Sequence, residues 1–136
     1  EPFARNVMRD VLTGLRAALA RARRAKIDRT RLLLDPGIGF GKSYEQNCEL
    51  LRRLPEIARL GFPLVVGTSR KAFIGWLLGG RRKDQSWPAD KRLWGTAATV
   101  VASIFAGASI VRVHDVAEMA QVARVADAVA VAPLFR

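Results

Sequence analysis

Apolar residues recur at helical spacing in two parts of the chain and run together in three others. Between about 3 and 25, Phe3, Val7, Val11, Leu15 and Leu19 fall four apart, with Met8 and Leu12 widening the stripe. That period marks one face of an amphipathic helix, and Pro2 suits its entrance. A second helix fits 44–60, with Leu50, Leu51, Leu54 and Ile57 on one face. Pro55 should kink or divide it, and Gly61 should close it. The segment RLLLD at 31–35 is a short apolar run ending at Pro-Gly, which predicts a buried strand. PLVVGTS at 63–69 and SIVRVHD at 109–115 predict two more.

The intervals fill in consistently. A short helix is expected from about 70 to 78, and a surface loop over GGRRKDQSWPADKR at 79–92. A small-residue helix fits 95–107 and should stop at Gly107, and a last helix runs through Met119, Val122 and Val125. The order is helix, strand, helix, strand, two helices, strand, helix. Strands alternating with helices at this spacing predict an α/β fold of parallel β/α units with right-handed crossovers.

Composition narrows the class without choosing a function. A chain of 136 residues, half of them hydrophobic and 26% charged, is one globular domain's worth. No apolar run reaches the length of a membrane span, and no segment near the start reads as a signal peptide. The single cysteine, Cys48, excludes an internal disulfide, fits a reducing cytoplasm, and reads as a small apolar helix residue. The net charge of +11 gathers in RARRAK at 21–26 and RRK at 81–83. The first cluster falls in the last turns of a predicted helix, where cations oppose the carbonyl ends. No nucleic-acid signature accompanies either cluster, so no nucleic-acid or membrane partner is expected.

The stretch LLDPGIGFGKS at 33–43 imitates a phosphate-binding loop. The P-loop spacing requires a glycine where Pro36 stands, and proline has no N–H to offer a phosphate. The dinucleotide pattern fails as well, because Lys42 occupies the place of its third glycine. Asp35 therefore needs another account: a turn aspartate accepting from nearby N–H groups, or a carboxylate accepting two parallel donors of a ligand.

Polar groups stand at all three predicted strand ends. They are Asp35, then Thr68-Ser69-Arg70-Lys71, then Arg112 and His114. Arg112 and His114 are two apart on one strand and so share a face. Lys71, Arg112 and His114 together could surround an anion, and Ser69 near a helix start would add a hydroxyl and exposed N–H groups.

Five blocks then resemble one enzyme family in the right order. LDPGIGFGK at 34–42, Glu45 and Asn47 with the following Glu-Leu-Leu, GTSRKAFIG at 67–75, GTAAT at 95–99 and VRVHDV at 111–116 are similar to the C-terminal part of dihydropteroate synthases. The resemblance implies a transferase of folate biosynthesis and a sulfonamide target. It joins a dihydropterin methyl pyrophosphate to p-aminobenzoate and releases pyrophosphate with Mg²⁺ assisting. It implies that Asp35 holds the aminopyrimidine edge of the pterin and that Lys71 bonds the pterin's polar edge. Arg112 would flank the ring and share the pyrophosphate with His114. Ser69 would receive the carboxylate of p-aminobenzoate, with Phe40, Gly67 and Arg70 shaping that region. Lys71, Arg112 and His114 would carry the catalysis, by positioning and leaving-group stabilisation without a protein nucleophile.

The implied fold is a TIM (β/α)8 barrel, which takes about 250 residues. Residues 1–136 would form about three of its eight strands, an incomplete pterin-binding barrel domain. The early strands, their two loops and the asparagine that binds the metal lie outside them. Three strands alone expose two open edges and an apolar face. The isolated monomer is accordingly expected to be poorly stable and inactive unless a longer chain, a second copy or a partner completes the sheet. The resemblance also implies a homodimer. A pterin-binding methyltetrahydrofolate methyltransferase shares such an aspartate but has no pyrophosphate to hold. A non-catalytic pterin-binding or assembly module is the other alternative.

Overall fold

A computed structural model of the chain describes residues 3–80 and 82–131. Pro2 and Arg81, which the readings above used, lie outside them. The first helix, α1 (Val7–Arg24), is shorter than the 3–25 stripe predicts. Asn6 stops it at the front by accepting the Arg9 N–H at 2.9 Å, which leaves Phe3 outside the helix and 56% exposed. Its last turn carries Arg21, Arg23 and Arg24, the arrangement that favours cations beside unsatisfied carbonyls.

The predicted helix over 44–60 is divided into α2 (Tyr44–Arg52) and α3 (Leu54–Ala58). Pro55 enters the first turn of α3, where its missing N–H costs nothing, and Gly61 follows at φ 79°. Ser43 and Gln46 form a reciprocal capping box at the start of α2. The remaining elements are β1 (Val65–Val66), α4 (Ala72–Gly79), α5 (Leu93–Phe105), β2 (Ile110–Val111) and α6 (Val116–Val131).

The sheet is parallel, as expected, but its ladders are much shorter than the predicted strands. β1 pairs with β2 through Val65↔Ile110 and Val66↔Val111, and the 31–35 segment joins by a single bridge, Leu34↔Leu64. A 3₁₀ turn capped by Asp28 takes up Arg29–Arg31, and Pro36 offers no N–H beyond the bridge. Only β1 has a neighbour on each side. The outer segments have nothing among the described residues to extend their pairing.

Register sorts the side chains onto two faces. Leu34, Leu64 and Val66 are buried against Val7, Met8, Leu50, Leu54 and Ile57 of the helices, each full burial contributing about 1.5–3 kcal/mol. The opposite face bears Leu33, Asp35, Ile110 and Arg112, all exposed, with Val65 and Gly67 half-buried between them. The sheet is thus covered by helices on one side and open on the other.

The 79–92 segment is more than a surface loop. Trp87 N–H donates to Gly75 O at 3.0 Å, and a Cβ on Gly79 would lie 1.8 Å from Gln85 O. Glycines at 75 and 79 are what let this segment lie directly on α4. Among the described residues, no helix is long and apolar enough to cross a membrane.

Candidate functional site

The chain leaves the carboxyl ends of the strands through three connections, and a cleft of about 460 Å³ opens between two of them. Gly67, Ser69, Arg70, Lys71, Ala89, Arg112, Val113 and His114 line it. Six of the eight residues singled out in the sequence therefore converge here. Asp35 and Phe40 lie outside the lining, in the adjacent connection.

That connection begins with Asp35, whose Oδ1 accepts the Gly37 N–H at 2.8 Å. The turn reading of this aspartate is realised, and its carboxylate remains exposed on the open face of the sheet. Gly37, Gly39 and Gly41 follow with φ of 70°, 83° and 59°, which only glycine adopts without strain. Lys42 folds back inside the loop, its Nζ donating to Gly37 O at 2.8 Å and Phe40 O at 2.9 Å. Partial burial pushes its ammonium pKa down, opposed by Asp10 and Asp35. Buried Asn47 completes the loop: its Oδ1 accepts Gly39 N–H at 2.6 Å and its Nδ2 donates to Ser43 O at 2.7 Å. The lysine that resembles a P-loop lysine is thus a loop staple.

Phe40 is 63% exposed, and Lys71 Nζ lies 4.0 Å from its ring centroid. This cation–π contact joins the glycine loop to the cleft. Lys71 also packs on Gly39, where a Cβ would come within 2.8 Å of its Cδ.

Ser69 departs from its expected place. The helix after β1 starts at Ala72, with Lys71 at its N-cap and no side-chain cap. Ser69 is buried upstream of it, and its Oγ accepts His114 N–H at 3.0 Å and meets His114 Nδ1 at 2.8 Å. A neutral His114 that accepts the hydroxyl proton at Nδ1 carries its own proton at Nε2.

Arg70 is also engaged. Its Nε and Nη2 meet the two Asp115 oxygens at 3.1 and 2.5 Å, a bidentate pair between the end of β1 and the start of α6. These bonds hold the Asp115 carboxyl below its ordinary pKa and raise that of Arg70. Arg112 is exposed and makes no ion pair among the described residues, and its Nε lies beside Gly67. A cleft with Lys71, Arg112 and the imidazole at its wall suits an anion.

Several residues that build the site carried no signal of their own in the sequence. Asp115, Arg92 and Thr96 meet Arg70 across 45, 22 and 26 positions. Thr99 donates to Thr96 O and meets Thr68 Oγ1 at 2.7 Å, satisfying buried hydroxyls behind the cleft. Asn47 was marked only by its place in the family-like block beside Glu45; its loop-closing bonds were not legible.

Mg²⁺ finds no ready cage. Among the described residues no three His, Cys, Asp or Glu stand close enough to hold a metal. Two carboxylates of this region are already engaged: Asp35 accepts Gly37 N–H and Asp115 pairs with Arg70.

Comparison with known proteins gives a consistent result. The family described as pterin binding enzyme matches residues 1–114. A dihydropteroate synthase of Synechocystis is 59% identical over 98 residues, covering 72% of this chain and 32% of its own length. That of Clostridium beijerinckii is 42% identical over 124 residues, covering 90% of this chain and 44% of its own. The solved dihydropteroate synthase of Xanthomonas albilineans, in complex with 7,8-dihydropteroate, superposes with a TM-score of 0.89 at 38% identity. That match covers 97% of this chain and 49% of the other. The chain spans a third to a half of the length of these relatives.

Proposed function

The chain belongs to the pterin-binding enzyme family, and from that premise we propose that it is the C-terminal portion of a dihydropteroate synthase barrel. The observation that carries the proposal is the convergence of Lys71, Arg112 and His114 on one cleft beside the exposed carboxylate of Asp35. In this reading Asp35 accepts paired N–H donors of the pterin's aminopyrimidine edge, while Lys71, above Phe40, meets its polar edge. Arg112 and the Nε2–H of His114 hold the pyrophosphate. The C–O bond to pyrophosphate breaks first and leaves a cation on the pterin methylene. The p-aminobenzoate nitrogen then forms the C–N bond and gives up a proton. Cations fixed beside the departing anion lower that barrier, and no covalent enzyme intermediate is needed.

Ser69, with Gly67 and Arg70 around it, receives the carboxylate of p-aminobenzoate in this reading. Its hydroxyl must then exchange His114 for the substrate. Mg²⁺ would neutralise pyrophosphate charge, with its main ligand supplied by the part of the barrel outside this chain. The open sheet face supports this incompleteness, since Leu33 is 53% and Ile110 44% exposed. A homodimer is proposed through α5 and α6, where a groove is lined by Val101, Phe105, Val122, Val125 and Val129.

Equilibrium binding of a pterin to the chain tests the reading. Asp35→Asn places a donor against a donor and should weaken binding by about ten- to a hundredfold. Unchanged affinity would reduce Asp35 to its turn role. Arg112→Ala and His114→Ala should each weaken inorganic pyrophosphate more than p-aminobenzoate, whereas equal losses would indicate a folding defect.

A further inference from the structure

Arg70 stands in a left-handed backbone conformation, φ 57°, that long side chains seldom adopt. Among the described residues the only other non-glycine at positive φ is Lys26, just past the end of α1, where helices commonly place such a residue. Arg70 ends no helix. It is held instead from a distant element. Its N–H donates to Thr96 Oγ1 at 3.0 Å, and Arg92 Nη1 donates to its carbonyl at 2.7 Å. Arg92 and Thr96 are four residues apart at the start of α5, so one side of that turn presents both groups. Thr96 is fully buried, and Arg92 Nε donates to Trp87 O at 2.8 Å, anchoring the guanidinium to the segment that crosses α4.

The left-handed residue sends three successive side chains to two different connections, the one between β2 and α6 and the glycine loop. Ser69 meets His114 beyond β2, Arg70 pairs with Asp115 ahead of α6, and Lys71 covers Phe40 in the glycine loop. An extended segment would direct Ser69 and Lys71 to one face. Here they reach opposite flanks of the sheet, because β1 lies between the Leu34 segment and β2.

We propose that Arg92 and Thr96 are positioning residues: by holding Arg70 left-handed they set where Lys71 and the Ser69–His114 pair stand, and hence the spacing of the cleft's anion-binding groups. The pyrophosphate part of this proposal rests on the function proposed above; the bracket around Arg70 does not.

The test is amide hydrogen exchange by NMR on the 136-residue chain, with titration by inorganic pyrophosphate. Thr96→Val keeps the side chain's shape and removes the hydroxyl, and Thr96→Ser retains it. Arg92→Met keeps an apolar stem at a half-exposed position and removes the fork. Thr96→Val should speed Arg70 amide exchange about tenfold. Both removals should displace the Lys71 and His114 signals and weaken pyrophosphate about tenfold. Protection of the Val65 and Arg112 amides, which bond to Leu34 and Val66 carbonyls, should persist. Thr96→Ser should stay within about twofold of the original chain. The proposal is overturned if both removals leave the Lys71 and His114 signals in place, or if Thr96→Ser loses as much as Thr96→Val. Should Thr96→Val lose protection throughout, Arg92→Met decides. An unaltered chain that takes up no pyrophosphate would show that this portion of the barrel does not form the anion site alone, and the signals at Arg70, Lys71 and His114 would still judge the bracket.

Discussion

The glycine loop at 37–43 and the turn at Ser69-Arg70-Lys71 both use left-handed backbone and touch through Phe40 and Lys71, yet they are held by opposite means. The loop places glycine at each positive φ and draws its bonds from Lys42 and Asn47, no more than eight residues away. The turn places an arginine there and draws its side-chain bonds from residues 22 to 45 positions distant. A loop closed by its own neighbours needs only the first turn of α2 beside it. A turn closed by α5 and α6 exists only once those helices have docked. Three substitutions challenge the local half of this contrast, and a fourth challenges the distant half.

The largest effect is expected from Asn47→Ala. It strips the Gly39 N–H of its acceptor and the Ser43 carbonyl of its donor at a position only 2% exposed. A loss of about 3 kcal/mol in urea unfolding is expected. A loss below about 1 kcal/mol would show that the loop does not depend on its neighbours as described. Gly39→Ala should cost about 2 kcal/mol, since φ is 83° and the new Cβ meets Lys71 Cδ at 2.8 Å. It should also shift the Lys71 and Phe40 NMR signals, which ties the loop to the turn. Gly41→Ala has the same backbone conflict, φ 59°, with nothing within 4 Å of the new Cβ. About 1 kcal/mol is expected, and equal losses at 39 and 41 would mean that the Lys71 contact contributes nothing.

Asp115→Asn is the mildest, because its pair with Arg70 is partly exposed. Arg70 lowers the Asp115 carboxyl pKa in the folded chain below its ordinary 3.8. The pair therefore stabilises above the unfolded pKa, and that contribution is lost as pH falls through the lower folded value. Urea midpoints measured downward from about pH 6 should fall less steeply below about pH 4 in the variant. Glu56 and Asp28 are shifted in the same direction and remain in both chains, so only the difference between the two curves reports on Asp115. Superimposable curves would remove the ion pair from the account of how Arg70 is held.

Element order and strand direction were legible because they follow from local periodicity, and Gly61 and Gly107 ended helices as read. Strand length was not legible. A ladder extends only as far as a neighbour does, and the outer segments have one neighbour each. Asp35, Lys71, Arg112 and His114 could be singled out because polar groups are conspicuous after apolar runs. Thr96 and Arg92 could not. A threonine among small helix residues and an arginine in a charged loop carry no local mark of what they bond.

By itself, the amino-acid sequence determined the β/α order, the glycine loop with its capping box, and the gathering of charged groups at the strand ends. Each depends on φ preference, helical period or side-chain chemistry within a few residues. Only the tertiary structure decided that Ser69 faces His114, that Arg70 is committed to Asp115, and that α5 brackets a strained turn. Those contacts span tens of residues, and their geometry exists only when separate elements pack against the same face of the sheet.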